Sequence, residues 1–189
     1  MNEALSGAGI FLVQAVITLA TFAFLLRFVL QAVRADFYNP ITQAIVRITD
    51  PVLKPLRRVV PDAAGLNTAA LLITLLLQLG LVFVLFAASP GTAVVLAAFR
   101  LLMLVLDVYF WALFIVVVIS WVAPGSRHPG AKLLHQITEP MLAPFRRLVP
   151  PMGGLDFSVM VAILVLVLLR EFLLPGIAAE LRIPRSALG

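Results

Sequence analysis

Apolar residues gather into four long runs, and the segments after the first and third runs mix apolar and charged positions at helical spacing. A transmembrane helix needs roughly 20 mostly apolar residues to cross about 30 Å of hydrocarbon. Four stretches meet that length: about 10–33, with Arg27 as its single charge; about 68–88, with none; about 93–123, holding Arg100 and Asp107; and about 156–174, with Arg170 and Glu171 near its far end. The third run exceeds one crossing. It fits either one long tilted helix or a span that starts near Leu101 after a short surface helix.

The connections after the first and third runs contain a repeat. Residues 48–61 (ITDPVLKPLRRVVP) align without a gap to residues 137–150 (ITEPMLAPFRRLVP), nine of fourteen pairs being identical at a constant offset of 89. The register extends outward: Pro40 meets Pro129, Gly65 meets Gly154, Leu66 meets Leu155 and Asn67 meets Asp156. Self-similarity at a fixed period marks a duplicated structural unit. Each unit is a span, a motif and a second span, so the copies share one orientation and form a parallel repeat. The first copy occupies 1–92 with its motif at 40–67, and the second occupies 93–189 with its motif at 129–156.

Within the motifs, Ile48, Val52, Leu53, Leu56, Val59 and Val60 share one helical face, as do Ile137, Met141, Leu142, Phe145, Leu148 and Val149. Prolines 51, 55, 140 and 144 remove donors and crowd the preceding turn. The expectation is a helical turn or two from Pro40 and Pro129, a break near Pro51 and Pro140, and then a second short helix. Such proline-broken amphipathic pairs lie in the headgroup layer. Arg57, Arg58, Arg146 and Arg147, with Asp50 and Glu139 beside them, form the expected interface with anionic headgroups. A turn is expected over 150–154. Asn67 and Asp156 are placed to cap the following spans.

The chain has 189 residues, 62% hydrophobic and 12% charged, with a mean hydropathy of +1.11. Soluble domains carry about twice that share of charge, so the composition argues against a water-soluble monomer and excludes an extended disordered chain. With no cysteine, disulfides and thiolate chemistry are excluded. The net charge of +5 is an orientation signal. Arg34, Arg47, Lys54, Arg57 and Arg58 fall in the first connection, and Arg127, Lys132, Arg146 and Arg147 in the third; the second connection has none and the tail has Arg182 and Arg185. The motifs are therefore expected in the cytoplasm, with both termini outside. No basic residue precedes the first run, so it reads as a retained span and not as a cleaved signal.

Charges within the spans are costly and call for partners. Asp107 lies 15 residues before Val122, and Arg170 lies 15 residues after Leu155. Both then sit about 22 Å from the cytoplasmic end. An Asp107–Arg170 pair is expected, with Arg100 and Glu171 in a second layer. Arg27, Gln31 and Arg34 form a stripe that snorkelling toward headgroups explains. Gln14, Thr18 and Thr21 form a polar stripe above it. His128 and His135 lie two turns apart, too distant for a zinc site without further ligands. No catalytic triad, phosphate loop or carboxylate pair marks an enzyme.

The order of span, T-[DE]-P-x-L-x-P-x-R-R-x-[VI]-P, G-L-[DN] and span resembles the YggT family of small bacterial membrane proteins, with its YlmG-like relatives. The second copy is the fuller match: Thr138-Glu139-Pro140, Pro144, Arg146-Arg147, Pro150 and Gly153-Gly154-Leu155-Asp156 stand where the family's motif has them, and Ser120-Trp121 followed by Pro124 is similar to its S-W-x-x-P entry. The first copy departs, with Asp50, Ala64 and Asn67 in place of Glu, Gly and Asp, and Gln31-Ala32 in place of Ser-Trp. The resemblance implies an all-α integral membrane protein of four spans. It also implies a part in osmotic tolerance or potassium homeostasis; the alternative it offers is a membrane scaffold in cell division or complex assembly. The expected partners are anionic lipid, further copies of the chain if it forms a pore, and other membrane proteins if it is a scaffold. No cofactor and no nucleic acid is expected.

Overall fold

A computed structural model describes residues 2–86, 88–149 and 156–183. The described residues are almost wholly helical: α1 (Asn2–Ala32), α2 (Pro40–Leu56), α3 (Thr68–Phe86), α4 (Pro90–Val122), α5 (Pro129–Leu148), α6 (Phe157–Leu168), a π-helical turn (Leu169–Leu173) and α7 (Leu174–Glu180). The expected duplication is visible in the helix starts. Pro40 and Pro129 begin α2 and α5, and Thr68 and Phe157 begin α3 and α6, each pair separated by the same 89 residues. Proline suits the first helical position, where its missing donor would be unpaired in any case.

Four segments are long and apolar enough to cross a membrane: Gly7–Ala32, Thr68–Phe86, Pro90–Val122 and Phe157–Glu180. The third is one continuous helix, which settles the open choice there; at 1.5 Å per residue its 33 residues reach about 50 Å. The fourth runs past Leu174 to Glu180 because a π turn carries the chain through Pro175. Leu174 N–H reaches back five residues to Leu169 O, a looser turn that accommodates the proline's lost donor. Phe11, Val16, Leu19, Met160 and Leu164 point outward and are exposed. Fully burying one such side chain is worth about 1.5–3 kcal/mol, so this surface favours hydrocarbon over water. The chain is a multi-pass membrane protein.

The spans pack in chain order, α1 on α3, α3 on α4 and α4 on α6. Close approach of α1 and α3 is allowed by Ala69, Ala70 and Thr74, all fully buried. Each amphipathic helix seats a leucine in its own repeat. Leu53 joins Phe24, Ala69 and Ala70, and its equivalent Leu142 joins the core of α4, α6 and α7. A third cluster joins the copies, with Leu25 and Val29 of α1 against Val108 and Ala112 of α4 and Leu133 and Ile137 of α5.

The structure corrects the expectation of proline-broken helix pairs. α2 runs unbroken through Pro51 and Pro55, and α5 through Pro140 and Pro144. All four prolines are exposed, and within each helix they are four residues apart, on one face. The lost hydrogen bonds therefore fall on the outer side, where the freed carbonyls are not sealed in the core, while the packed face stays intact. In α2 the packed face also differs from the expected one, with Val46, Thr49 and Leu53 buried and Ile48, Val52 and Val59 exposed, whereas in α5 the expected Ile137 and Leu142 are buried. The turn expected over 150–154 lies outside the described residues.

Candidate functional site

Two polar constellations stand out, one around α2 and α5 and one inside the spans. At the first, a loop of repeat one grips the start of α5. Asn39 caps α2 by accepting from Ile41 N–H at 2.9 Å, and its Nδ2 donates to Pro129 O at 2.7 Å. Lys132 Nζ donates to Asp36 Oδ2 at 2.6 Å, and Gln136 Oε1 accepts from Asp36 N–H at 3.1 Å. The Lys132 hydrogen bond, aided by that of Tyr38 N–H, holds the Asp36 carboxyl below the usual carboxylate range.

The paired arginines divide their work. Arg146 bridges the repeat's own acids, with Nη1 2.6 Å from Glu139 Oε2 and Nε 2.9 Å from Asp156 Oδ2. Burial works against its charge, but these hydrogen bonds raise its pKa above the ordinary value. Asp156 accepts from Ser158 N–H at 3.1 Å, the N-cap bond, and also from the Ser158 hydroxyl. Burial opposes ionisation of Asp156, yet the Ser158 and Arg146 hydrogen bonds outweigh it and hold the carboxyl below its usual range.

The first copy solves the same problem differently. Asn67 Oδ1 accepts from Ala70 N–H at 3.0 Å, so it caps α3, but it offers Arg57 no charge. Arg57 Nη2 instead bonds Asp62 Oδ2 at 3.0 Å and Gln31 Oε1 at 2.9 Å. Asp50 lies 3.2 Å from Lys54 Nζ and 3.7 Å from Arg27 Nη2. Arg58 and Arg147 are exposed and form no ion pair among the described residues.

Arg27 departs from the snorkelling expectation. It is buried against Asp50 and does not extend outward. Arg27 on α1 meets Asp50 on α2, and Gln31 on α1 meets Arg57, the residue that follows α2.

Inside the spans, Arg170 Nε lies 2.5 Å from Asp107 Oδ1, and Arg170 also pairs with its neighbour Glu171. The structure thus brings Asp107, Arg170 and Glu171 together. Arg100 lies elsewhere, donating from Nε to Gln78 Oε1 at 3.3 Å on α3. Asp107 and Arg170 line a cleft of about 570 Å³ whose other walls are apolar, among them Leu26, Leu104, Trp111 and Leu133. Gln14 and Thr18 line a smaller cleft of about 430 Å³. Thr21, read as part of the same stripe, turns into the core and donates to Ile17 O at 2.7 Å.

Sequence reasoning placed Thr49 and Thr138 in the repeated motif but gave them no role. Both are fully buried, and each returns its hydroxyl to a carbonyl four residues back, Ile45 O at 2.8 Å and Leu134 O at 2.9 Å. His128 caps α5, its Nδ1 accepting from Gly130 N–H at 3.1 Å. Among the described residues, no three His, Cys, Asp or Glu gather into a metal site.

Comparison with known proteins places this arrangement. The CCB3/YggT family model matches twice, over residues 6–88 and 95–177. An uncharacterized protein of Pseudomonas aeruginosa is 43% identical, covering 96% of both chains. The Escherichia coli K12 protein YggT, also described as uncharacterized, is 39% identical over 82% of this chain and 84% of its own. A Haemophilus influenzae relative is 36% identical over 84% of this chain and 87% of its own. No solved structure matches the chain. With one match to each copy of the repeat and relatives aligned along nearly its whole length, the chain belongs to the CCB3/YggT family.

Proposed function

We propose that this chain is a non-enzymatic protein of the bacterial inner membrane, with both termini on the periplasmic side, and that it contributes to osmotic tolerance or to ion homeostasis, potassium included. The orientation is supported by the nine basic residues in the two connections that hold α2 and α5, which the Asp36–Lys132 bond draws to one end of the molecule. The observation that carries the ion-linked reading is the Asp107–Arg170 pair on the wall of the large cleft, with Glu171 bonded to Arg170 beside it. A charge at the centre of a membrane helix costs about 2.5–3.5 kcal/mol on insertion scales. Apolar packing would brace two helices without that cost, so three charges at one level point to a role for charge itself. Four spans enclose little space, so conduction would act through a homo-oligomer.

The test is purified protein in liposomes under a potassium gradient, alongside survival of osmotic shock in cells carrying only the variant. Flux that disappears in Asp107→Ala, with a matching loss of survival, is the expected result. Silent liposomes together with full survival of Asp107→Ala cells would overturn it.

A second reading, a scaffold for division or for assembly of membrane complexes, is favoured by Arg58 and Arg147, which are exposed at equivalent positions of the two copies. In that case a co-purifying membrane protein is lost in the Arg58→Ala, Arg147→Ala double variant while the potassium flux is flat in every form.

A further inference from the structure

The first repeat contains a cavity rich in cationic side chains. It measures about 470 Å³ and lies between the end of α1, the start of α2 and the loop that leads into α3. Three guanidinium groups line it, Arg27, Arg34 and Arg57, with Thr42, Gln31 and Asp62. Asp62 is the single acid in the wall, and it is already bonded by Arg57 Nη2 and Gln31 Nε2.

Four buried side-chain nitrogen or oxygen atoms lack a hydrogen-bond partner among the described residues, and three of them belong to this lining: Arg27 Nε, Thr42 Oγ1 and Arg57 Nε. Arg27 and Thr42 are more than nine-tenths buried. Buried polar groups are paired in nearly all native structures, so three donors without acceptors around one cavity require an acceptor from outside the chain. Guanidinium forks match the tetrahedral oxygens of phosphate, and with Asp50 beside Arg27 and Asp62 beside Arg57 the three guanidiniums leave about one positive charge to be met by an anion.

Two further observations fit. Arg34 adopts left-handed backbone at φ 53 where α1 ends. Its N–H bonds Gln31 O and that of Ala35 bonds Leu30 O, a closure that ordinarily selects glycine. An arginine there keeps a guanidinium at the rim that glycine would not supply. In the second repeat the positions equivalent to Arg27, Arg34 and Thr42 are Val116, Ala123 and Ala131, and Arg146 is taken up by Glu139 and Asp156. Three of the four donors exist in the first copy only.

We propose that this cavity binds one phosphate group, either the headgroup phosphate of an anionic lipid or a free phosphate. Arg27, Arg34, Arg57 and Thr42 supply the donors. The site is independent of the ion-linked reading of Asp107.

The test uses the full chain in an uncharged detergent, with bound adducts counted by native mass spectrometry. The probes are dioctanoyl phosphatidylglycerol, dioctanoylglycerol (the same lipid without its phosphate) and inorganic phosphate. One phosphatidylglycerol is expected per chain, with no binding of dioctanoylglycerol. The Arg34→Asn, Thr42→Val double variant should weaken it by about tenfold or more. Asn tolerates left-handed backbone, and Val fills the volume of Thr, so both changes leave the fold in place. Arg58→Gln, outside the cavity, should bind as the unaltered chain does. Displacement by millimolar inorganic phosphate assigns the site to free phosphate; retention of the lipid against it assigns the headgroup. Equal binding of phosphatidylglycerol and dioctanoylglycerol with no inorganic phosphate bound, or a double variant that binds as tightly as the unaltered chain, overturns the proposal.

Discussion

Lys132 Nζ and Asp36 Oδ2, 96 residues apart, meet at 2.6 Å and tie the start of the second amphipathic helix to the loop that follows the first span. Beside them, Asn39 Nδ2 holds Pro129 O. These bonds fix how the amphipathic helices of the two copies sit side by side. An apolar cluster that includes Val29, Ala112 and Ile137 also joins the two copies.

This pair gives the chain an acid-sensitive link. The Asp36 carboxyl titrates below its ordinary value of 3.8 because of the Lys132 hydrogen bond. Its contribution is therefore present above that value and is lost as pH falls through the lower folded pKa. Thermal unfolding in detergent, followed from pH 6 down to pH 3, should show a falling midpoint below about pH 4. Asp36→Asn should lower the midpoint at pH 6 and flatten the acid limb. Because Lys132 is exposed, added salt should shrink the difference. An acid limb unchanged in Asp36→Asn would assign that sensitivity to another carboxylate, Asp156 first.

The Asp107–Arg170 pair should behave as one unit. With 31% and 43% of the side chains exposed, and with Glu171 beside Arg170 as a second acid, removal of Asp107 does not strand the guanidinium completely. Asp107→Asn should then cost about 1–3 kcal/mol, less than the 3–5 kcal/mol for breaking a fully buried pair. Asp107→Asn combined with Arg170→Gln should cost less than the sum of the single changes. A double-mutant cycle on thermal stability measures that coupling. Strictly additive costs would mean that the two groups do not sense each other in the folded protein.

Thr49 and Thr138 test whether space or hydrogen bonding decides these positions. Each hydroxyl bonds within its own helix, so it satisfies itself and recruits no neighbour. Replacement by Val keeps the shape and loses only that bond, at a cost of about 1 kcal/mol or less. Leu adds a methylene to a fully buried site and should cost about 1–3 kcal/mol. Chemical or thermal denaturation of Thr138→Val and Thr138→Leu separates the two. Equal costs would show that the hydroxyl, and not the space, is what the site requires.

Much of the architecture could be read from residue order. Four apolar runs and a motif repeating at 89 residues were enough to place the spans and the starts of α2, α5 and α3. The depth of Asp107 and Arg170 placed them at one level, because helical rise turns residue counts into heights. What local spacing could not supply was orientation around each helix axis. Pro51 and Pro140 read as breaks since their cost depends on the face they occupy, and that face is chosen by packing of Leu53 and Leu142 far away in sequence. The Lys132–Asp36 bond belongs to the same class, as it joins a helix of one copy to a loop of the other. The π turn over Leu169–Leu173 answers Pro175 within a helix that apolar content alone ended too early.

The two caps make a final comparison between the copies. Asp156 is charged and shares Arg146, whereas Asn67 is neutral, fully buried and has an Nδ2 without a partner. Asn67→Asp would strengthen the cap on α3 in an exposed setting. Here it buries a carboxylate while Arg57 is occupied by Asp62 and Gln31. The substitution should therefore destabilise the protein at neutral pH, by about 1–3 kcal/mol for a buried charge without its partner. The loss should diminish as pH falls and the new carboxyl takes a proton. Adding Asp62→Asn releases Arg57, which can then take the part that Arg146 plays in the second copy. The Asn67→Asp, Asp62→Asn double variant should recover most of the lost stability at neutral pH, measured by thermal unfolding. A double variant weaker than either single change would show that Arg57 is fixed by Gln31 and the cavity it lines, and that the two copies are not interchangeable at this corner.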